Sequence, residues 1–339
     1  TLTYVRIEYA GIELTPNNET NSLTMGGVGS GTTIDHIQVS FGGDDGYEWF
    51  GGSVNAKYLV SLSTWDDDFD TDFGYAGNVQ FGLAVRNPFF ADQSGSNCFE
   101  SDNQANANDT PSGAAGYTRP IFSNITVLGP RETNSRTISA NYANAMHIRR
   151  RSSISIFNSF FSGYRLGLRI DDDATYANLV SGGGKLAYNV LCVPGTSGTG
   201  SSATASDGIF VTGIKFTAAN DGTIDSNLPS GGNASPIANY WADNDNVSFN
   251  NITATTVLGD VGITPTLYWA GQNSSNYPSN PNFALVPGVA GENNLNTGAN
   301  FGDAKLSGNT FFTATTYKGV DATDWTDGWT EFQPLNKVN

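Results

Sequence analysis

The chain is poor in the residues on which most intracellular chemistry depends. It holds two cysteines, two histidines and two methionines in 339 residues, and only 14% of its residues are charged. Neither His36 and His147 nor Cys98 and Cys192 stand at an H-x-x-x-H or C-x-x-C spacing, which removes zinc and dithiol redox chemistry. The cysteines read as buried free thiols, with one disulfide as the alternative. Basic residues are scarce: 16 Lys+Arg against 32 Asp+Glu leave a net charge of -16. Such a chain has no basic footprint for phosphate and excludes nucleic acid as a partner. No apolar run reaches the ~18 residues of a membrane span. No G-x-S-x-G elbow is present, and MGGVGSGTT, residues 25–33, has the glycines of a phosphate loop without its lysine or helix. Runs at helical period are missing as well. The chain shows no signal peptide and opens directly in the strand pattern TYVRIEYAG, so it reads as a mature or truncated product that lacks N-terminal rungs.

Repetition takes the place of these features. TIDHIQVSFGGDDGYEWFGG (33–52) aligns without a gap on NAKYLVSLSTWDDDFDTDFG (55–74), an offset of 22 residues. Tyr47 falls on Phe69 and Glu48 on Asp70. VQFGLAVRN (79–87) continues the first half, with Leu59 over Phe81, and CFESDN (98–103) returns the second half after an insertion. AMHIRRRSS and GLRIDDDAT share the same offset, placing Met146 on Leu168 and His147 on Arg169. Further short units, SNITVLG (123–129), FNSFFSG (157–163), YNVLCVPG (188–195), NNITATT (250–256) and GNTFFTA (308–314), each set an Asn near a β-branched or apolar run. One rung cannot bury its apolar face alone, but rungs stacked ~4.8 Å apart bury a continuous core. A period near 22 without helices therefore predicts an all-β, right-handed parallel β-helix over 1–339, with the β-sandwich as the rival. Loop excursions are expected near 88–97, 103–118, 195–208 and 271–300. The Trp-rich end, 315–339, reads as a C-terminal cap over the last rung. The recurring Asn residues predict a hydrogen-bonded ladder at the turns.

WDDDFDTDFGY, 65–75, crowds five carboxylates into seven positions. Strand alternation puts Phe69, Thr71 and Phe73 inward and Asp68, Asp70 and Asp72 outward. The same phase sends Trp49 inward, and Glu48, Glu100 and Asp102 to the outer patch. Neighbours ~5 Å apart repel by several kcal/mol at an effective dielectric of ~20. Three devices offset such repulsion. A hard cation, Ca²⁺, suits the oxygen set Glu48, Asp68, Asp70, Asp72, Glu100 and Asp102, although D-x-D-x-D-x-G places its Gly one residue late for a calcium loop. Protein cations, His147 and Arg169 with Arg149 to Arg151, stand on later rungs of the same face. Shared protons would give a glycosidase-like acid and base among Glu48, Asp70 and Glu100, with Arg169 nearby. Trp65 and Tyr75 flank the cluster as candidates for stacking on a sugar, with a core or rim role as the other reading.

GDDGYEWFGG, DDDFDTDFG, FESDN and DWTDGWTEFQP together resemble a family of secreted or surface-anchored bacterial parallel β-helix proteins. The resemblance implies an extracellular or outer-surface location and a possible lipid anchor on additional N-terminal sequence. It implies no activity. The chain is also similar in fold to pectin-degrading enzymes, but it has no G-H-G, and Asp171 follows Arg169-Ile170 where polygalacturonases carry Lys. The first functional expectation is a non-catalytic protein that binds or presents a polysaccharide, or joins a surface assembly, through a cation-stabilised acidic patch. A glycan lyase or hydrolase is the alternative, and a structural spacer or adhesin the third reading.

Overall fold

The computed structural model describes residues 1–15, 19–104, 116–193, 209–211, 214–217, 240–249, 260–269, 277–289, 291, 293–320 and 323–336. The expected excursion at 195–208, much of that at 103–118, and the NNITATT unit lie outside the described residues.

Strands alternate between two sheets as the chain coils. The first contains β1 (Leu2–Glu8), β3 (Thr33–Ser40), β5 (Asn55–Leu62), β7 (Asn78–Val85) and β9 (Ile121–Leu128). It continues through β11 (Ser155–Phe157) with β12 (Phe160–Ser162), β14 (Lys185–Ala187) with β15 (Val190–Cys192), and β18 (Val247–Phe249). The second contains β2 (Leu23–Gly26), β4 (Tyr47–Phe50), β6 (Phe69–Asp72), β8 (Phe99–Ser101), β10 (Asn144–Ile148), β13 (Leu166–Asp171) and β17 (Ile214–Thr217). Described pairings are parallel, except that β16 (Ile209–Val211) joins β17 antiparallel. This is the parallel β-helix that the repeat predicts.

The first-sheet strands bend at one left-handed residue each: Tyr4, His36, Tyr58, Phe81 and Asn124, with φ between 53° and 63°. The ladder pairing skips these positions. A left-handed side chain costs roughly 1–2 kcal/mol. Here the corner residues recover part of it by stacking, with rings 4.4 Å apart for Tyr4–His36, 4.4 Å for His36–Tyr58 and 5.0 Å for Tyr58–Phe81. Keeping the corners in line makes Leu59 pair with Gly82 rather than with Phe81, a correction of one residue to the 22-residue offset. The asparagine ladder is present in pairs: Asn55–Asn78, Asn97–Asn144 and Asn189–Asn246, at 2.8–3.0 Å.

Inside the coil, Tyr47, Trp49, Phe69, Phe99 and Phe122 are fully buried. Cys98 and Cys192 are buried and unpaired. A short helix, α1 (Asp173–Val180), follows β13 and is capped by Asp172 Oδ1, which accepts the Thr175 N–H at 2.7 Å. The helix-free expectation passed over it because eight residues are too few to show a helical period.

The described residues of the C-terminal segment lie against the first sheet. They run back along its outside to the first rungs. Val261, Leu267, Trp269, Phe283 and Phe332 cover Val60, Leu62, Leu83, Val85 and Leu128. Gln38 and Glu331 exchange two amide hydrogen bonds at 2.7 Å, and Gln80 does the same with Thr313 at 2.7 and 2.8 Å. Trp325 packs on Tyr58, and Trp329 on His36 and Tyr4. GNTFFTA, 308–314, belongs to this segment and forms turns rather than a strand. Side-chain amides offer the tail peptide-like partners, so it satisfies its backbone without adding a strand.

Candidate functional site

The tail packs on the first sheet, and the chemistry stands on the second. Register places Glu48 against Asp70, Asp70 against Glu100, Glu100 against His147 and His147 against Arg169. This outward column crosses five consecutive strands, with Thr24 before it. It brings together Glu48, Asp70, Glu100 and Arg169 of the residues singled out in the sequence.

At its lower end the column is ion-paired. Arg149 binds Glu100 through Nη2 and Asp102 through Nε, the latter at 2.8 Å. Arg150 Nη1 lies 2.6 Å from Asp102. Arg169 grips Asp171 with Nε and Nη2, both at 2.9 Å. His147 sits between Asp171, 2.8 Å from Nε2, and Glu100, 3.8 Å from Nδ1. Burial pushes Glu100 up, but the His147 hydrogen bond and the His147 and Arg149 charges outweigh it and hold the carboxyl at about 2. Burial opposes Asp171 likewise, and His147 with Arg169 brings it below the usual range. His147 is raised: burial works against its charge, and the hydrogen bonds it donates to Asp171 and Glu100, with their charges, overcome it. These residues line a cleft of about 320 Å³, with Ser94, Asn97 and Asn144 on its wall.

At the upper end no ion pair to a lysine or arginine is present among the described residues at Asp45, Glu48 and Asp70. Carboxylate oxygens of Asp45, Glu48 and Asp70 lie within 4.8 Å of one another. Burial, then the charges of Asp44, Asp72 and Glu100, pushes Glu48 up to about 8. Burial and the neighbouring carboxylates also push Asp45, Asp67 and Asp70 well up. Asn21 donates to Glu48, and Asp45 accepts the Asp67 N–H at 2.9 Å, but Asp70 Oδ1 is buried with no hydrogen-bond partner. An oxygen-only set with one orphaned oxygen fits a hard cation. Beside it, Glu19, Asp44, Asp66 and Asp92 line a second cleft of about 530 Å³, with Gly43, Gln93 and Ser94 as its uncharged residues.

Asp68 and Phe73 depart from the sequence reading, and Tyr75 takes the core role of its two readings. Asp68 does not join the outer patch. It lies in the turn before β6, where strand alternation does not hold, and points into the core. There Ser61 donates to it at 2.6 Å and Arg86 pairs with it at 3.2 Å, both ionic side chains being fully buried. Tyr75 is also core: it is fully buried, stacks on Trp49 at 5.3 Å and donates to the Val54 carbonyl, so it offers no face to a sugar. Phe73, expected inward, is 49% exposed at a left-handed corner past the end of β6. Of the six proposed metal ligands only Glu48 and Asp70 converge, joined by Asp45. Glu100 and Asp102 are taken by arginines, and Asp72 accepts its neighbour's Phe73 N–H at 2.6 Å. Trp65 is 42% exposed, its indole N–H 3.2 Å from Asp92 at the acidic cleft. Asp45 and Asp171 were missed as site residues, although the DD pair at 44–45 and the DDD run at 171–173 were visible.

No helix among the described residues is long and apolar enough to cross a membrane. A family model described as a pectate-lyase like beta helix domain matches residues 1–230. No curated protein and no solved structure matches the chain.

Proposed function

We propose, for a chain that belongs to the pectate-lyase like beta helix domain family, that the open face of the second sheet binds a polysaccharide and holds Ca²⁺ at its acidic end. The observation that carries this is the continuous column from Glu48 to Arg169, polar at every position, on the sheet opposite the one that the described residues of the tail cover. Planar carboxylates, amides and guanidinium groups converge there on a cleft that a sugar chain running along the coil would meet. Asp45, Glu48 and Asp70 would hold the cation, and the charge it supplies would relieve their mutual repulsion. Three protein ligands suit the weak affinity, about 10⁻⁴–10⁻³ M, of extracellular calcium modules, which is consistent with a secreted or outer-surface protein. A surface protein partner would use the same face.

One observation favours a second reading, glycan hydrolysis. Two carboxyls on the column are pushed in opposite directions, Glu48 up to about 8 and Glu100 down to about 2. That separation is how a site obtains an acid and a base at one pH. Two rungs separate their backbones by ~9.6 Å, near the upper end of the ~6.5–9.5 Å carboxyl spacing of inverting glycosidases. A lyase with an arginine base fits less well, because Arg149 and Arg169 are each held charged by carboxylates.

Calorimetric titration of Ca²⁺ into chelator-treated protein, with the melting temperature read in parallel, tests the cation. The parent is expected to bind and to gain about 2.7 kcal/mol of stability at a hundredfold excess over Kd. Asp45→Asn with Asp70→Asn is expected to lose both responses. No heat and no rise in the parent would remove the cation. Affinity electrophoresis in polysaccharide gels tests the face, with Arg169→Gln expected to reduce retardation. New reducing ends that disappear in Glu48→Gln and Glu100→Gln would move hydrolysis ahead of binding.

A further inference from the structure

We infer that the glycan seated in the 320 Å³ cleft is uncharged and is recognised through its hydroxyl groups, not through carboxylate or sulfate groups. This rests on the polysaccharide reading above and names its ligand class.

Every cation that lines the cleft already has a carboxylate partner. Arg149 serves Glu100 and Asp102, Arg150 serves Asp102, Arg169 serves Asp171, and His147 lies between Glu100 and Asp171. Asp172 is occupied too: it accepts the Arg150 and Thr175 backbone N–H groups. With His147 charged, four cations face four carboxylates, so the cleft is neutral as a unit. An anionic sugar has to displace a carboxylate from a partly desolvated pair, which leaves the displaced charge without its partner.

A neutral sugar meets no such obstacle. A guanidinium carries five N–H donors in a fixed plane, and Arg169 spends only the Nε and one Nη2 donor on Asp171. The remaining donors stand beside the lone pairs of the Asp171 and Glu100 carboxylates. A vicinal diol, with one hydroxyl donating and its neighbour accepting, matches that alternation without breaking a pair. The size fits: about 320 Å³ lies at the low end of small-ligand pockets, roughly 300–1,000 Å³. At the other end of the face, Phe50 and Phe73 stand 5.8 Å apart and are 37% and 49% exposed, offering apolar rings to the C–H face of a sugar.

The test is affinity electrophoresis of the full chain, with Ca²⁺ and with chelator, at low salt and at about 0.5 M salt. The gels contain de-esterified homogalacturonan, its methyl ester, and neutral xylan, galactan and glucan. The expected result is retardation by at least one neutral polymer, unchanged by salt, and none by the polyuronate. Retardation by the polyuronate alone, weakened by salt or dependent on Ca²⁺, would overturn the uncharged ligand and leave the polysaccharide reading standing. Retardation by none of the polymers would overturn both. Asp171→Asn adds a gain-of-function arm: freeing Arg169 and His147 should raise affinity for a galacturonate oligomer at least tenfold. If that variant folds, by its melting curve, and gains nothing, pairing is not what excludes anions. Arg169→Gln should in turn weaken the neutral polymer about tenfold without changing the melting temperature by more than a few degrees, which separates recognition from folding.

Discussion

The upper and lower halves of one column behave in opposite ways. Both sit on the same sheet, in unbroken register, and both are built on carboxylates facing outward. Asp45, Glu48 and Asp70 stand among other carboxylates, and burial with like charge pushes their protons on. Glu100 and Asp171, buried as deeply, are held ionised because the next rungs supply His147, Arg149 and Arg169. The state of a carboxyl here is set less by its own depth than by what stands one rung, about 5 Å, away. A stacked architecture turns the order of residues along a face into an electrostatic gradient, with crowded carboxyls at one end and an ion-paired cleft at the other.

Removing the lower half's cation should break this contrast most strongly. Arg149→Met leaves Glu100 and Asp102 short of a partner and is expected to cost about 2–4 kcal/mol in urea unfolding at pH 7. That is below the upper part of the range for a fully buried pair because Arg149 is partly exposed. A loss under about 0.5 kcal/mol would mean that His147 and Arg150 balance the site alone.

The same isosteric change, Glu→Gln, should have opposite signs two rungs apart. A raised folded pKa means that the folded state keeps its proton longer than the unfolded chain. Glu48 therefore withdraws stability as pH rises from the ordinary glutamate value of 4.5 to about 8. In chelator, Glu48→Gln should match the parent near pH 4.5 and exceed it by on the order of 2–3 kcal/mol at pH 8. Glu100 is the reverse case: its depressed pKa contributes stability above 4.5 that is lost as pH falls through about 2. Glu100→Gln should destabilise at neutral pH, with the deficit closing in strong acid. Same-sign shifts for the two variants in melting scans across this range would defeat the gradient.

The smallest effect is expected at Asp72, on the rim of the acidic half and held up to about 6 mainly by burial. Its contribution turns unfavourable between the ordinary value of 3.8 and about 6, so Asp72→Asn should match the parent at pH 4 and gain at most about 1 kcal/mol above pH 6. The Phe73 N–H keeps an acceptor in either case.

Strand pairing was largely legible before any coordinates. The alignments Tyr47 on Phe69, Glu48 on Asp70, and Met146 and His147 on Leu168 and Arg169 are pairings of the second sheet, because a solenoid writes its ladder into its repeat. The column of acid, acid, acid, His, Arg followed from the same arithmetic. Reading failed where alternation stops. Asp68 and Phe73 flank β6 by one residue, and outside the strand a side chain turns whichever way the corner takes it. The Trp-rich tail has no repeat, so its place beside Gln38 and Tyr58 could not be read from spacing.

By itself, then, the sequence determined a parallel β-helix and which residues share an outward row, because a period near 22 and an alternation of two are local properties of the chain. Only the tertiary structure decided that the described residues of the tail cover the first sheet, that Arg86 draws Asp68 into the core, and that Asp45 completes a trio with Glu48 and Asp70. Those outcomes depend on contacts between residues far apart in the chain and on competition among charges for burial. Neither is encoded in any short stretch of sequence.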